Sequence, residues 1–517
     1  MASRRSTAQV VRDLMVGMKD LCSPDYKMLA ILTLLVDFVL TSFVLVKLVI
    51  VNRHPLSRFP GPFSAKFSNL SHCRRFMGGR QPYEMLKLHE KYGPVVRVAP
   101  NELSFNSSGS WKDIYDKRKG HLPFIKSEFY DGGSFAAEAH SIVSERDPEK
   151  HAQMRRYLRD AFSDRSLREQ ETSINQAIDE FMDKIGEVGA SPSSIDIIMW
   201  FNLLTFDIIG DLAFGQSFGG VLSGAEHFWV SIVVKSLRMG ALADCFNRFP
   251  WLGAIFQFLF PALLKKLIED TRKHEAYTMG LVKKRKTQDS FRKDFLTKIM
   301  EARASEDISD IQIAAHASDF VIAGSETTAT ALSCTTYYLQ KNEEILKKLR
   351  QELQRNFNSC QEIDNASTSG LPYLNAIILE GMRIYPPLPF PLPRVVPEGG
   401  DTVDGHFIPA GTIVSTNPFA ASMSPSNFKN PWAFDPDRWL FSTKDDNREA
   451  SQPFSLGTRG CLGKSLGWLE MRTILAKMYF KYDLELVDHS LDWHVQSQMH
   501  TLWQKPVMKV VVKPHCL

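Results

Sequence analysis

Residues 454–463, Phe454-Ser455-Leu456-Gly457-Thr458-Arg459-Gly460-Cys461-Leu462-Gly463, decide how this chain is interpreted. They place Cys461 in a glycine-rich loop, with Arg459 two positions before it and a helix-periodic run after it. A cysteine at the start of a helix meets unpaired N–H groups and the positive end of the dipole, which favour the thiolate. Because no second cysteine or histidine lies nearby, the loop cannot make a tetrahedral zinc site. It can supply the single axial ligand of a haem iron, with Arg459 placed to contact a haem carboxylate.

The longest helical pattern in the sequence carries a second motif. It begins at the capping box Ser309-Asp310-Ile311-Gln312 and runs to about Gln340. Its small residues offer a face on which a flat cofactor could lie, and mid-helix stands Ala323-Gly324-Ser325-Glu326-Thr327-Thr328. Gly324 costs a helix about 1 kcal/mol relative to alanine, so it needs a reason. Either the hydroxyls bond back to carbonyls of the preceding turn, or the turn is widened and holds water beside the cofactor.

A third motif pairs an acid with a base on a predicted helix from Tyr373 to Ile384. Glu380 and Arg383 stand three residues apart and therefore share a face. Such a pair on a surface contributes under about 1 kcal/mol. Here it adjoins an apolar run, so we expect it to be buried and to need a further partner.

The three motifs together resemble those of the cytochrome P-450 monooxygenases. The family's haem loop is F-x-x-G-x-R-x-C-x-G, its oxygen-binding helix carries A-G-x-(D/E)-T-T, and its E-x-x-R pair meets an arginine of F-x-P-x-R-W, here residues 434–439. The similarity covers the entire chain. It extends to filamentous-fungal enzymes of secondary metabolism, such as the isotrichodermin and averantin hydroxylases.

This resemblance implies a mainly α fold with small β-sheets and a haem b whose axial ligand is Cys461. It implies that Thr327 donates a hydrogen bond to bound dioxygen and that Glu326 relays protons from solvent. The structural residues that would lock the segment leading into the cysteine loop are Glu380, Arg383 and Arg438.

Haem carries two propionates, which require cations in a partly buried place. Arg394 follows a proline-rich stretch, and His151 and Arg155 resemble the family's W/H-x-x-x-R propionate motif. Gly467 is a departure, because similar proteins usually carry alanine there; it weakens that helix by about 1 kcal/mol. The predicted cofactor-binding residues are Cys461, Arg459, Arg155, His151, Arg394, Phe454 and Gly463.

Length and composition bound the remaining organisation. The chain has 517 residues, and its formal charge of +4 gives no reason to expect a nucleic-acid partner. Its seven cysteines are scattered without C-x-x-C spacing, which excludes a disulfide framework. Two hairpins are predicted, around residues 95–105 and 402–408, together with a strand at 507–512.

An apolar stretch near the N-terminus predicts a membrane anchor. Residues 28–51 are long enough to cross a bilayer, although Asp37 near the middle costs about 2.5–3.5 kcal/mol. Lys47 near one end can extend its charge to the interface. We therefore expect a tail at 1–27, an anchor helix at 28–51 and a haem-thiolate catalytic domain at 52–517. The alternative for 28–51 is a hydrophobic helix that lies on the membrane or packs on the protein.

The resemblance also implies partners and a location. Electrons would come from NADPH through the membrane-bound NADPH–cytochrome P-450 reductase, because no G-x-G-x-x-G cofactor fingerprint follows a strand here. Cytochrome b5 is a further candidate partner. The protein would be single-pass in the endoplasmic reticulum membrane with its catalytic domain cytosolic. Its substrate would be an apolar polyketide, terpenoid or alkaloid, bound between walls near residues 120–140, 200–250, 311–327, 388–394 and 497–502, with Phe390, Leu392 and Leu502 as apolar candidates.

Three other interpretations stay open from the sequence. A thiolate-haem isomerase or dehydratase would rearrange a substrate without dioxygen. A non-catalytic haem protein would bind or sense a ligand. In the plainest case Cys461 is a buried core cysteine without a cofactor.

Overall fold

The computed structural model describes residues 9, 24–133, 135, 139–287, 294–306, 308–441 and 444–515. The chain separates into two units, residues 1–59 and 60–517. Most of the predicted tail, residues 1–27, lies outside the described residues. The predicted division at residue 52 falls within the first unit, eight residues before the boundary at Pro60.

The first unit consists mainly of one long apolar helix, α1, Pro24–Arg53. Its segment Ile31–Arg53 has the length and composition of a membrane span, and it contains both Asp37 and Lys47. The predicted anchor, 28–51, overlaps this segment and begins three residues earlier. A second helix of similar apolarity, Ile197–Phe214, is 83% buried and belongs to the core of the second unit.

The second unit is mostly helical. Its α-helices are α2 Leu70–Met77, α3 Gln81–Tyr92, α4 Ser108–Tyr115, α5 Pro148–Arg159, α6 Asp164–Val188, α7 Ile197–Phe214, α8 Gly220–Ser223, α9 Phe228–Arg248, α10 Pro250–Leu259, α11 Pro261–Thr287, α12 Phe295–Glu306, α13 Asp310–Lys341, α14 Glu343–Asn356, α15 Asn365–Ser369, α16 Pro372–Ile384, α17 Pro418–Met423, α18 Asp437–Leu440, α19 Lys464–Lys481 and α20 Trp493–Gln496. Helices α10 and α11 meet at a bend of 102°.

The strands are short and form four small sheets. They are β1 Val95–Ala99, β2 Glu102–Phe105, β3 Ile125–Lys126, β4 Ile195–Asp196, β5 Arg394–Val395, β6 Asp401–Val403, β7 His406–Ile408, β8 Ile413–Thr416, β9 Tyr482–Leu486, β10 Gln498–His500, β11 Leu502–Gln504 and β12 Lys509–Pro514. The five-stranded sheet has the order β1-β2-β8-β5-β3, the three-stranded sheet has the order β4-β12-β9, and β6-β7 and β10-β11 are separate hairpins.

The strand predictions are largely confirmed. Strands β1 and β2 pair antiparallel, and β6 and β7 pair across Asp404 and Gly405, whose φ angles of 50° and 76° suit a tight hairpin turn. The final strand, β12, begins two residues later than predicted and extends to Pro514. The mainly α fold with small sheets is therefore the observed one.

Helix α13 is the centre of the second unit. Its predicted cap is confirmed, because the Ser309 side chain accepts a hydrogen bond from the Gln312 backbone. At 32 residues the helix is about 48 Å long. A side chain at Gly324 would place its Cβ only 3.0 Å from the Ile209 side chain of α7, so glycine suits the close approach of two helices.

Of the two interpretations of this segment, the widened turn is not observed, because α13 is unbroken from 310 to 341. The Ser325 and Thr327 hydroxyls instead donate to the carbonyls of Val321 and Ala323, at 2.6 and 2.5 Å. The alternative interpretation, hydroxyls bonded back along the helix, is the one observed.

Candidate active site

The cysteine loop owes its shape to two residues with positive φ. Gly457 has φ 67°, and a Cβ there would lie 2.2 Å from the Tyr115 carbonyl oxygen, so only glycine fits. Ser455 has φ 56°. The turn brings the Cys461 backbone N–H to the Phe454 carbonyl at 2.8 Å. Helix α19 begins three residues after Cys461, so the sulfur lies outside its first turn.

The prediction that the helix start favours the Cys461 thiolate is opposed by the surroundings of the sulfur. Burial raises the pKa of the Cys461 thiol. The Gly463 backbone N–H and the charges of Arg155 and Lys464 oppose that rise without cancelling it. A metal ion at the sulfur would displace the thiol proton.

Cys461 lies on one wall of a cavity of about 340 Å³. Ala323, Gly324 and Thr327 of α13 line the same cavity. The lining is largely apolar; its members include Ile142, Val143, Ile209, Phe320, Leu388, Phe454 and Gly463. Since Cys461 lines this cavity, the interpretation as a packed core cysteine is wrong.

The cavity also receives five basic side chains from separate segments. They are Lys126, His151, Arg155, Arg394 and Arg459, hereafter the basic cluster. Arg155 donates to the Gly460 carbonyl at 2.7 Å, and Arg394 donates to the Tyr130 hydroxyl at 2.9 Å. The structure therefore brings together all four basic residues predicted from the sequence and adds Lys126.

A cavity loop, residues 141–147, is fastened to this cluster. Lys126 donates to the carbonyls of Ile142 and Val143 at 2.9 and 2.6 Å. Arg459 donates to the carbonyls of Glu145 and Arg146, both at 2.8 Å. The acceptors are neutral backbone carbonyls, so they hydrogen-bond the two cations without neutralising their charge.

The electrostatics of the basic cluster fit a bound dianion. Among the described residues, no carboxylate oxygen lies within 4 Å of the cationic nitrogens of Lys126, Arg155, Arg394 or Arg459. Burial, Arg459 and Lys126 lower the pKa of His151 to about 2. Burial, then Arg459 and Arg394, lower the pKa of Lys126 to about 6. Two carboxylates would relieve the mutual repulsion of the cationic side chains in the basic cluster. A flat group that carries both carboxylates could also present a metal ion to the Cys461 sulfur.

The two predicted catalytic residues lie on different sides of α13. Thr327 lines the cavity, whereas Glu326 does not. The Glu326 carboxylate is buried and accepts from the Lys505 ammonium at 2.7 Å, and Lys505 also contacts the Thr330 hydroxyl at 3.1 Å. Consecutive helical residues diverge by about 100°, which explains the separation. The structure thus does not place Glu326 in the cavity.

Two acidic residues at the cavity were not predicted from the sequence. Asp319 lines it, and burial raises the pKa of Asp319 to about 6 although the Ser141 hydroxyl and the Val143 N–H oppose the rise. Glu470 of α19 also lines it, and burial raises the pKa of Glu470 to about 8. Within the described residues, neither oxygen of Glu470 accepts a well-formed hydrogen bond.

Lys126 was also missed. The available signal was a single lysine directly after the apolar run Leu122-Pro123-Phe124-Ile125, which a solvent-exposed loop would not need. Asp319 had a similar signal, since it lies four residues before Ala323 and eight before Thr327 on one helix face. For Glu470 we find no comparable signal.

The network around Glu380 is buried, as predicted. Arg383 donates to both Glu380 oxygens at 2.8 Å, and Arg438 donates to Oε1 at 3.0 Å. Trp439 and the Asp435 backbone N–H donate to the same carboxylate at 2.9 Å. The side chains of Glu380 and Arg383 are fully buried and that of Arg438 is 3% exposed.

The predicted pocket walls are partly correct. Described residues of 120–140, 200–250, 311–327 and 388–394 line the cavity, Leu392 among them; no described residue of 497–502 does. Phe390 instead stacks against Phe76 and Phe129, with ring centroids 5.0 and 4.5 Å apart. Leu502 lies in β11 and does not line the cavity. The prediction was therefore wrong for Phe390 and Leu502.

Comparison with known proteins gives consistent matches. The family model described as Cytochrome P450 matches residues 60–512. The chain is 54% identical over 440 residues to Cytochrome P450 monooxygenase ORF11 of Penicillium roqueforti, covering 85% of this chain and 92% of that protein. It is 44% identical over 483 residues to Cytochrome P450 monooxygenase BipB of Cochliobolus sativus, covering 91% and 95%. It is 36% identical over 465 residues to Cytochrome P450 monooxygenase aclL of Aspergillus oryzae, covering 89% and 94%.

Proposed function

This chain belongs to the cytochrome P450 family and is a monooxygenase, and we propose that it inserts one atom of dioxygen into an apolar fungal secondary metabolite, a polyketide, terpenoid or alkaloid intermediate. The observation that carries the proposal is the apolar cavity with Cys461 on one wall and the basic cluster around it. Family membership implies a haem-thiolate cofactor, and this donor set suits it.

Named residues would hold the cofactor. The Cys461 sulfur would bind the haem iron, and the basic cluster would hold the two propionates. The Gly463 N–H hydrogen-bonds to the Cys461 sulfur and would stabilise its anionic form. When bound, a thiolate-ligated haem activates dioxygen and favours O–O cleavage, so that one oxygen atom enters the substrate and the other leaves as water.

The chain's own residues would manage protons and water. The Thr327 hydroxyl faces the cavity and can exchange its bond to the Ala323 carbonyl for one to a bound ligand. Glu326 would take up protons at the far side of the helix, where Lys505 now holds its carboxylate. The apolar walls would exclude bulk water from the reacting carbon.

The remaining proposals concern location and electron supply. The segment Ile31–Arg53 would anchor the protein in the endoplasmic reticulum membrane with the catalytic unit in the cytosol. NADPH–cytochrome P-450 reductase would supply the electrons, with cytochrome b5 as a second donor. Lys464, exposed three residues after Cys461, is a candidate contact for that partner.

A reduced, carbon monoxide-bound difference spectrum tests the central claim. The wild type should give the red-shifted Soret band of thiolate ligation, and Cys461→Ala should lose it. Cys360→Ser is the matched control, because Cys360 is a free thiol outside the cavity. Haem-free but well-folded wild-type protein would refute the proposal.

Labelled dioxygen separates the alternatives. With NADPH and reductase, a monooxygenase leaves label in the product. An isomerase or dehydratase would turn over without NADPH and leave none. A binding protein would give no product at all.

A further inference from the structure

The cavity contains one acidic group that the cofactor does not explain. Asp319 lies on the same face of α13 as Ala323 and Thr327, and all three line the cavity. From Asp319 to Thr327 the helix rises about 12 Å. The carboxyl is thus two turns away from the residue placed next to the reacting atoms.

Asp319 has no cation of its own. Among the described residues, no lysine, arginine or histidine nitrogen lies within 4 Å of its carboxylate. Lys126, the nearest charge of opposite sign, donates to the carbonyls of Ile142 and Val143 instead. His316, one turn earlier, accepts a hydrogen bond from the Ile142 N–H and shares one with the Tyr157 hydroxyl. Both of its ring nitrogens are therefore bonded to groups other than Asp319.

The Asp319 carboxyl is incompletely hydrogen-bonded. The Ser141 hydroxyl and the Val143 N–H of the cavity loop are near enough to oppose the rise in its pKa, but the Ser141 hydroxyl pairs with the Ser144 hydroxyl at 3.3 Å. Its Oδ2 accepts no well-formed hydrogen bond within the described residues. A carboxylate in an apolar surrounding is costly unless a donor completes its shell, and the lining of the cavity is largely apolar.

We propose that Asp319 recognises a hydrogen-bond donor on the substrate, an ammonium or a hydroxyl, about 12 Å along the helix from the site of oxidation. The inference rests on the proposed function and narrows its substrate class. A purely hydrocarbon substrate would leave the carboxyl unsatisfied. A substrate with one polar end would be oriented with its opposite end towards Thr327.

Binding of three matched probes to the holoenzyme tests this inference. Protonated dodecyldimethylammonium, which keeps one N–H donor, dodecan-1-ol and dodecyl methyl ether share a chain and differ in the head group. Their affinities are measured by equilibrium dialysis and by the shift of the Soret band. We expect at least one of the first two to bind about tenfold or more tightly than the ether, and Asp319→Leu, which removes the acceptor, to abolish that preference.

The controls separate recognition from folding. Ser318→Ala is the matched control. Ser318 is adjacent to Asp319 on α13 but does not line the cavity, and its hydroxyl shares a 2.8 Å hydrogen bond with His274. Asp319→Ala is measured in parallel, so that the test does not depend on one variant folding. The preference of wild type over Asp319→Leu should also shrink as the pH is lowered through about 6, where Asp319 is protonated. Lys126 titrates in the same range but is common to both proteins.

The outcomes are distinct. Selective loss of the ammonium preference assigns an amine-bearing substrate, and selective loss of the alcohol preference assigns a hydroxylated one. Equal binding of all three probes by the wild type, or a preference that survives in both Asp319 variants, would overturn the inference. A wild type without the carbon monoxide band would refute the proposed function and not this inference.

Discussion

Replacing Glu380 by glutamine should destabilise the protein strongly although it changes one oxygen to an amide. The carboxylate accepts two hydrogen bonds from Arg383 and one each from Arg438, Trp439 and the Asp435 backbone. Glutamine offers one acceptor oxygen, and its amide donors would face guanidinium donors. Arg383 would then lack its counter-charge, whereas Arg438 would keep its ion pair with Asp446 at 2.6 Å. Removing one partner of a buried ion pair costs about 3–5 kcal/mol.

Urea unfolding followed by tryptophan fluorescence measures this cost from the shift of the midpoint. Glu352→Gln is the matched control, because Glu352 accepts only from the Tyr373 and Leu374 backbones at the start of α16; its loss should cost about 1 kcal/mol. Combining Glu380→Gln with Arg438→Met should cost less than the sum of the two changes. Equal effects of the two glutamate variants would refute the reasoning.

The other predictions use smaller changes. Gly467→Ala should raise the free energy of unfolding by up to about 1 kcal/mol, since the new Cβ would lie 3.8 Å from its nearest neighbour. Gly324→Ala should lower the free energy of unfolding despite the same gain in helix propensity, because its Cβ would lie 3.0 Å from Ile209. Urea midpoints of the two variants that move in the same direction would contradict this. Lys505→Met should raise the solvent isotope effect on turnover, because Glu326 loses the cation that orients it, and an unchanged isotope effect would exclude Glu326 from the proton path. Burial raises the pKa of Glu470 to about 8 from an ordinary 4.5, so between these values the folded state keeps a proton that the unfolded chain releases. The free energy of unfolding should therefore fall as the pH rises from about 5 to 8. Glu470→Gln, assayed by urea unfolding across this range, should remove that part of the decrease.

Local patterns could be predicted from the sequence because their physics is local. The Ser309 cap, the hairpin at Asp404 and Gly405, and the glycine-rich turn before Cys461 each depend on the conformations of a few adjacent residues. The family resemblance then supplied what spacing alone could not, namely that distant segments converge on one cofactor. The fold and the basic residues of the site followed from these two sources.

What the sequence did not indicate depends on burial and on packing between distant segments. Lys126 and Glu470 are ordinary charged residues until other segments remove them from water. The cation that pairs with Glu326 on the far side of α13 is Lys505, which is 179 residues away in sequence. The widened turn at Gly324 was inferred from a costly glycine, but packing against Ile209 explains that residue.

The cavity loop, residues 141–147, has a further consequence. Arg459 of the basic cluster holds one end of it, at Glu145 and Arg146. The other end, residues 141–143, meets Lys126, His316 and Asp319. Cofactor and substrate would therefore bind to opposite ends of one short segment. Thermodynamic linkage requires their effects to be reciprocal: a substrate that tightens cofactor retention by some factor is itself bound more tightly, by the same factor, when the cofactor is in place.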